Sequence, residues 1–107
     1  FGYRMPAEWE DHAATWLAWP HRDSDWPGKI EAIPWVYAEI IRVLSRHEAV
    51  ELIVADDTAL ARAKAVLEPA GADMANVHFH VKPTDRSWLR DSGPIFVRDD
   101  KGQRGVL

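Results

Sequence analysis

Between Pro83 and Pro94 the chain gathers the side chains suited to holding a flat cation. Asp85, Arg86, Trp88, Arg90 and Asp91 fall in one polar stretch that closes on Gly93-Pro94. A carboxylate can accept a forked pair of N–H bonds from a guanidinium group. An indole face beside it adds cation–π attraction of about 0.5 to 2 kcal/mol. Trp88 and Asp91 are therefore the candidate pair for a planar cation. A second reading stands beside this one: Asp91 pairs with its neighbours Arg86 or Arg90, and Trp88 fills core. Ser92 follows Asp91, but Gly93-Pro94 does not continue a serine-hydrolase elbow, so its hydroxyl is expected to serve the turn.

Other groupings carry less. His21-Arg22-Asp23 imitates a kinase catalytic loop, yet Gly28 stands where that loop needs Asn and no Gly-rich phosphate loop precedes it. Glu8 and His12 are spaced for one helical face, but no third metal ligand accompanies them and Pro6 argues against a helix. His78 and His80 share one side of a strand, where hydrogen-bonded or solvent-facing histidines are commoner than chelating ones.

The elements that must position the 83–94 loop alternate along the chain. Ala13 to Trp19 is apolar nearly throughout and predicts a strand buried on both faces. His21 to Ile30 is a long polar loop with a Pro27-Gly28 turn, and such loops in compact domains are often functional. Pro34 suits a first helical turn, and Val36, Ile40, Val43, Leu44 and His47 recur as the stripe of an amphipathic helix. Val50 to Ala55 predicts a second, largely buried strand. Asp56 or Asp57 can cap a second helix with Leu60, Ala63 and Leu67 inward, stopped by Pro69 and Gly71. Val77 to Val81 alternates as a half-buried strand. Ile95 to Arg98 and Gln103 to Leu107 flank Asp99-Asp100-Lys101-Gly102 as a hairpin. Residues 1–11 read as irregular. This order predicts an α/β fold, a mixed sheet with covering helices.

Composition narrows the function classes. A chain of 107 residues is one domain in size, here a single domain over 1–107. Its net charge of −4 argues against nucleic acid as a partner. No apolar run reaches membrane-spanning length, so no membrane partner is expected and the cytoplasm is the expected location. There is no Cys, hence no disulfide, thiolate metal site or thiol nucleophile. Six Trp predict that some line a pocket or an interface. Leu107 falls within an apparent strand, which predicts an N-terminal piece of a longer protein, or a fold completed by a partner.

Four segments together carry a resemblance: Met5-Pro6-Ala7-Glu8-Trp9-Glu10, Thr15-Trp16-Leu17-Ala18-Trp19-Pro20, Asp25-Trp26-Pro27-Gly28 and, above all, Thr84 through Pro94. In that order the chain resembles the agmatine deiminase family, which also holds the bacterial (porphyromonas-type) peptidylarginine deiminases. The resemblance implies a pentein fold, a five-bladed α/β propeller, of which this chain would supply about one and a half modules. It implies hydrolysis of agmatine to N-carbamoylputrescine and ammonia through a Cys-thiouronium intermediate, with no metal or organic cofactor. Asp91 then corresponds to a catalytic, guanidinium-holding carboxylate and Trp88 to a substrate-binding aromatic wall. Arg90 is expected to orient the loop through its own salt bridge, and Trp19, His21 and Trp26 receive no role. The family's Cys and catalytic His would lie outside this chain, so the chain alone is expected to be inactive. The implied partner is a small cationic guanidinium compound, agmatine or an arginine side chain. Three alternatives remain: a peptidylarginine deiminase fragment, a non-catalytic guanidinium-binding or interaction module, and a homo-oligomeric scaffold whose open sheet edges and Trp residues pair between copies.

Overall fold

A computed structural model describes residues 2–107. Its larger layer is a parallel sheet of β2 (Ala14–Ala18), β3 (Ala49–Val54) and β4 (Val77–Val81), with β3 in the centre. Helix α1 (Ile33–Leu44) connects β2 to β3, and α2 (Asp57–Ala70) connects β3 to β4. Successive crossovers of one hand put both helices on one face. The core lies there: Val50, Leu52 and Val54 of β3 are fully buried against Ile41 of α1 and Ala63 and Leu67 of α2. The alternation of β3 thus sends every second residue under the helices and leaves Glu51 on the opposite face.

The helix ends follow local chemistry. The Asp56 carboxylate accepts from the Ala59 N–H at 2.7 Å, satisfying one of the free donors of α2. Gly71, at φ 85°, ends α2 in the left-handed region, its N–H bonded to the Glu68 and Leu67 carbonyls. Pro69 lies within the last turn of α2, so Gly71 alone is the stop.

The structure corrects two expectations. The 14–18 strand is not buried on both faces: it is an edge strand, and Trp16 on its helix-free side is 48% exposed. The buried stripe of α1 is not Val36, Ile40 and Val43, which are exposed, but Ala38 and Ile41 continuing to Ser45. Small Ala38 and Ser45 allow the helix to sit close to its neighbours. Ser45 also contributes polar bonds, since its hydroxyl accepts from the Asp73 N–H at 3.0 Å and its carbonyl from the Asn76 side chain at 2.8 Å.

A second, antiparallel sheet is built from β1 (Tyr3–Arg4), β5 (Phe96–Asp99) and β6 (Arg104–Val106), in the order β1-β5-β6. Strand β1 lies within the segment read as irregular; two residues are too few to show a period. The expected hairpin joins β5 to β6. The Asp99 carboxylate accepts from the Lys101 and Gln103 N–H groups at 2.9 and 2.8 Å, and Gly102 takes φ 80°. Parallel and antiparallel pairing are thus divided between two sheets.

Glu10 braces the small sheet. Its carboxylate accepts from Arg4 of β1 at 2.6 Å, from Arg98 of β5 at 2.8 Å and from the Ala7 N–H at 3.0 Å. Above all the Arg4 hydrogen bond, and then the Ala7 bond, lower the Glu10 carboxyl from 4.5 to about 2. A depressed carboxyl contributes stability that is complete above its unfolded value and fades as pH falls through the folded one. Glu10→Gln should therefore lower the melting temperature modestly at neutral pH, because the pairs are solvent-exposed. The difference from the unsubstituted protein should shrink between pH 4.5 and about 2, as measured by thermal melts across that range.

Candidate functional site

The C-terminal ends of β2, β3 and β4 share one edge of the parallel sheet, the edge at which open α/β folds place ligands. Two loops meet there: 19–30, following β2, and 82–88, following β4. The ladder continues into both, since the Trp19 N–H donates to the Ile53 carbonyl at 2.8 Å and the Lys82 N–H to the Val54 carbonyl at 2.9 Å. Beyond that point side chains join the loops. His21 Nε2 donates to the Thr84 carbonyl at 2.9 Å, and the Ser87 hydroxyl lies 3.4 Å from the Trp19 carbonyl. The Arg22 guanidinium reaches Asp85 at 3.4 Å. Trp26 packs on Trp88 with ring centroids 4.7 Å apart. Arg86 lies 3.2 Å from the carboxylate of Asp25, whose side chain is wholly inaccessible to solvent.

After this tethered stretch the loop turns once as a short helix, α3 (Leu89–Ser92). The Gly93 N–H donates to the Leu89 carbonyl at 2.6 Å, and the Ser92 hydroxyl donates to the Trp88 carbonyl at 3.1 Å, the turn role expected of it. A Cβ at Gly93 would stand 2.5 Å from the Leu89 oxygen, so this position excludes any larger residue unless the turn shifts. Sequence reading took 83–94 as a plain loop; a single helical turn is too short to leave a periodic signature.

Trp88 and Asp91 both lie on the wall of an open cleft of about 490 Å³ formed by residues 84–92. Trp88 is 39% exposed, so it is not a core residue. Asp91 is exposed, and among the described residues it makes no ion pair or side-chain hydrogen bond. The two arginines that could have taken it are engaged elsewhere: Arg86 with Asp25, and Arg90 with Glu8 at 2.7 Å. Arg90 thus has the structural salt bridge expected of it, and the Glu8 hydrogen bond raises its guanidinium above the ordinary value.

The histidine pair lies elsewhere. His78 Nδ1 and His80 Nε2 meet the two oxygens of Glu51 at 2.9 and 2.6 Å, on the helix-free face of the parallel sheet. The His78 bond, followed by that of His80, lowers the Glu51 carboxyl below its usual range. Trp16 stacks on His80 at 5.0 Å. Glu51 is the partner that sequence reading missed, because only the register places it opposite His78. His12 lies 3.4 Å from Glu48 rather than joining Glu8. Among the described residues no three His, Cys, Asp or Glu side chains group as a metal site.

The family model for Porphyromonas-type peptidyl-arginine deiminase matches residues 4–106. The chain belongs to that family. It is 38% identical over 106 residues to the agmatine deiminase of Pseudomonas aeruginosa (strain LESB58), covering 98% of this chain and 27% of the relative. A putative agmatine deiminase of Selenomonas ruminantium is 36% identical over 96% of this chain and 27% of its own. Among solved structures, C. jejuni agmatine deiminase superposes with a TM-score of 0.78 at 28% identity, over 98% of this chain and 30% of that one. A putative agmatine deiminase solved by X-ray superposes at 0.80 with 31% identity, over 98% and 28%. The chain therefore spans a little over a quarter of the length of the curated relatives it matches. Its fold is the corresponding α/β portion of this family's structure, with helices covering one sheet.

The close approach at Gly93 gives a direct test of the α3 turn. Gly93→Ala should open the Gly93–Leu89 bond and cost about 1 to 3 kcal/mol, as overpacking generally does. Amide exchange at Gly93 and Ser92 should accelerate while that of β3 stays unchanged.

Proposed function

We propose that this chain is the N-terminal portion of a guanidine deiminase acting on agmatine, with Asp91 holding the guanidinium group and Trp88 forming an aromatic wall beside it. The observation that carries the reading is the unpaired carboxylate of Asp91 in the cleft with Trp88, while Arg86 and Arg90 are bound to other acids. The family membership and the agmatine deiminase relatives support the substrate class, and the C. jejuni enzyme has also been solved with substrate bound.

A forked carboxylate–guanidinium contact fixes both the plane and the position of the substrate. It keeps the group cationic, so its central carbon stays electrophilic. The indole of Trp88 adds attraction to the face of the cation and excludes water from one side. In the reaction a thiolate adds to the guanidinium carbon, and a proton from the catalytic His lets one amino group leave as ammonia, giving a thiouronium. Water then adds to the same carbon, returning one proton to the His and releasing the other to solvent, and the thiolate departs, leaving the ureido product. This chain has no Cys, so the nucleophile and the catalytic His belong to the remainder of a complete five-bladed propeller. The task of residues 84–92 is orientation, which can supply a large part of the barrier reduction. No metal or organic cofactor enters these steps. A peptidyl-arginine substrate is the second reading, favoured by the family's description.

In the full-length protein, Asp91→Asn should lower kcat/KM for agmatine by at least about 100-fold, the scale set by lost positioning. Circular dichroism should be unchanged. Near-normal turnover would refute the role of Asp91. Faster turnover of a peptidyl-arginine substrate than of agmatine would select the second reading. Calorimetry of the 107-residue chain with agmatine separates an enzyme portion from a stand-alone binding module, because only the module should saturate.

A further inference from the structure

Most of the cleft residues are exposed, yet Arg86 among them is anchored to a group with no solvent access. Asp25 closes the 3-10 turn Asp23–Asp25 in the loop after β2. Its side chain is 0% exposed, and neither carboxylate oxygen has a geometrically sound hydrogen bond. The indole N–H of Trp26 beside it is also buried without a partner. A buried carboxylate in this state costs several kcal/mol unless a counter-charge stands close. The Arg86 guanidinium, 3.2 Å away and itself 59% exposed, provides that charge. Arg86 precedes Trp88 by two positions, and Trp26 follows Asp25 by one and packs against Trp88. Asp25 and Trp26 therefore hold Arg86 and Trp88 as one unit, and Asp91 lies one helical turn further along.

We propose that Asp25 is a positioning residue for the substrate loop: its buried charge draws in Arg86, seats Trp88 against Trp26, and so sets where Trp88 and Asp91 face the guanidinium group. The inference rests on the proposed function for the role of Trp88 and Asp91, but the tethering itself does not. A general structural role would spread its effect over the fold. The Asp25–Arg86 pair instead joins two loops at one edge of the sheet. Asp25→Asn preserves volume and removes the charge, and the exposed Arg86 can then be solvated, so the fold should survive. The double variant Asp25→Asn/Arg86→Gln removes both charges and guards against any penalty from a lone ion.

The experiment combines amide hydrogen exchange with steady-state kinetics on the full-length protein. In Asp25→Asn, amides of residues 84–92 should exchange about tenfold faster or more, while those of α2 and β3 stay at their original rates. For agmatine, KM should rise and kcat fall together, with kcat/KM down about 10- to 100-fold, the cost of a misplacement near 1 Å. Asp25→Glu should recover part of the loss. The double variant should lose no more than Asp25→Asn alone, since the two side chains act as one pair. Unchanged exchange in residues 84–92, or additive losses in the double variant, would overturn the inference. Faster loop exchange with unaltered kinetics would uphold the tether and count instead against the proposed roles of Trp88 and Asp91.

Discussion

A carboxylate removed from water must find a positive charge, and at Asp25 that charge comes from a segment more than sixty positions away. This requirement brings the loop after β2 against the loop after β4. The parallel sheet holds the stems of both loops side by side, with β3 between them. It does not determine how the tips meet. The His21–Thr84 hydrogen bond, the Trp26–Trp88 contact and the Asp25–Arg86 pair do that. The cleft residues inherit their orientation from these contacts more than from regular secondary structure.

Much of the scaffold was legible because period and punctuation were clear. Leu60, Ala63 and Leu67 gave the buried stripe of α2, and Asp56 and Gly71 marked its ends through cap chemistry that depends on few neighbours. Strand β4 followed from strict alternation. The stripe of α1 was misjudged because large apolar residues weigh most in a periodicity argument. Here the sheet side is occupied by Ala38, Ile41 and Ser45, with the expected Leu44 partly buried beside them, while Trp35, Val36, Ile40 and Val43 face outward. Likewise the apolar run 13–19 suggests a doubly covered strand. Hydrophobicity reports a preference for burial but not whether a covering layer is at hand, and Trp16, with His80 stacked on it, remains half exposed.

The candidate site was legible in its residue types but not in its pairings. Composition left Asp91 free to join Arg86 or Arg90, and local spacing alone could not choose between them. The choice depends on long-range partners: Glu8 comes from the chain ahead of β2 and Asp25 from the turn that follows it. The length of loop 21–30 is unusual for a strand-to-helix connection, and that length is the available signal for Asp25 and Trp26. What length cannot convey is depth, and depth is what distinguishes Asp25 from the exposed Asp23 two positions earlier.

The small antiparallel sheet hangs from the large one by two crossings of the chain, 5–13 and 82–95, and the Glu8–Arg90 bridge ties one crossing to the other. Residues 93–95 alone separate β5 from α3, whose four residues include Asp91, so the seating of the small sheet and the placing of that carboxylate share one short length of backbone.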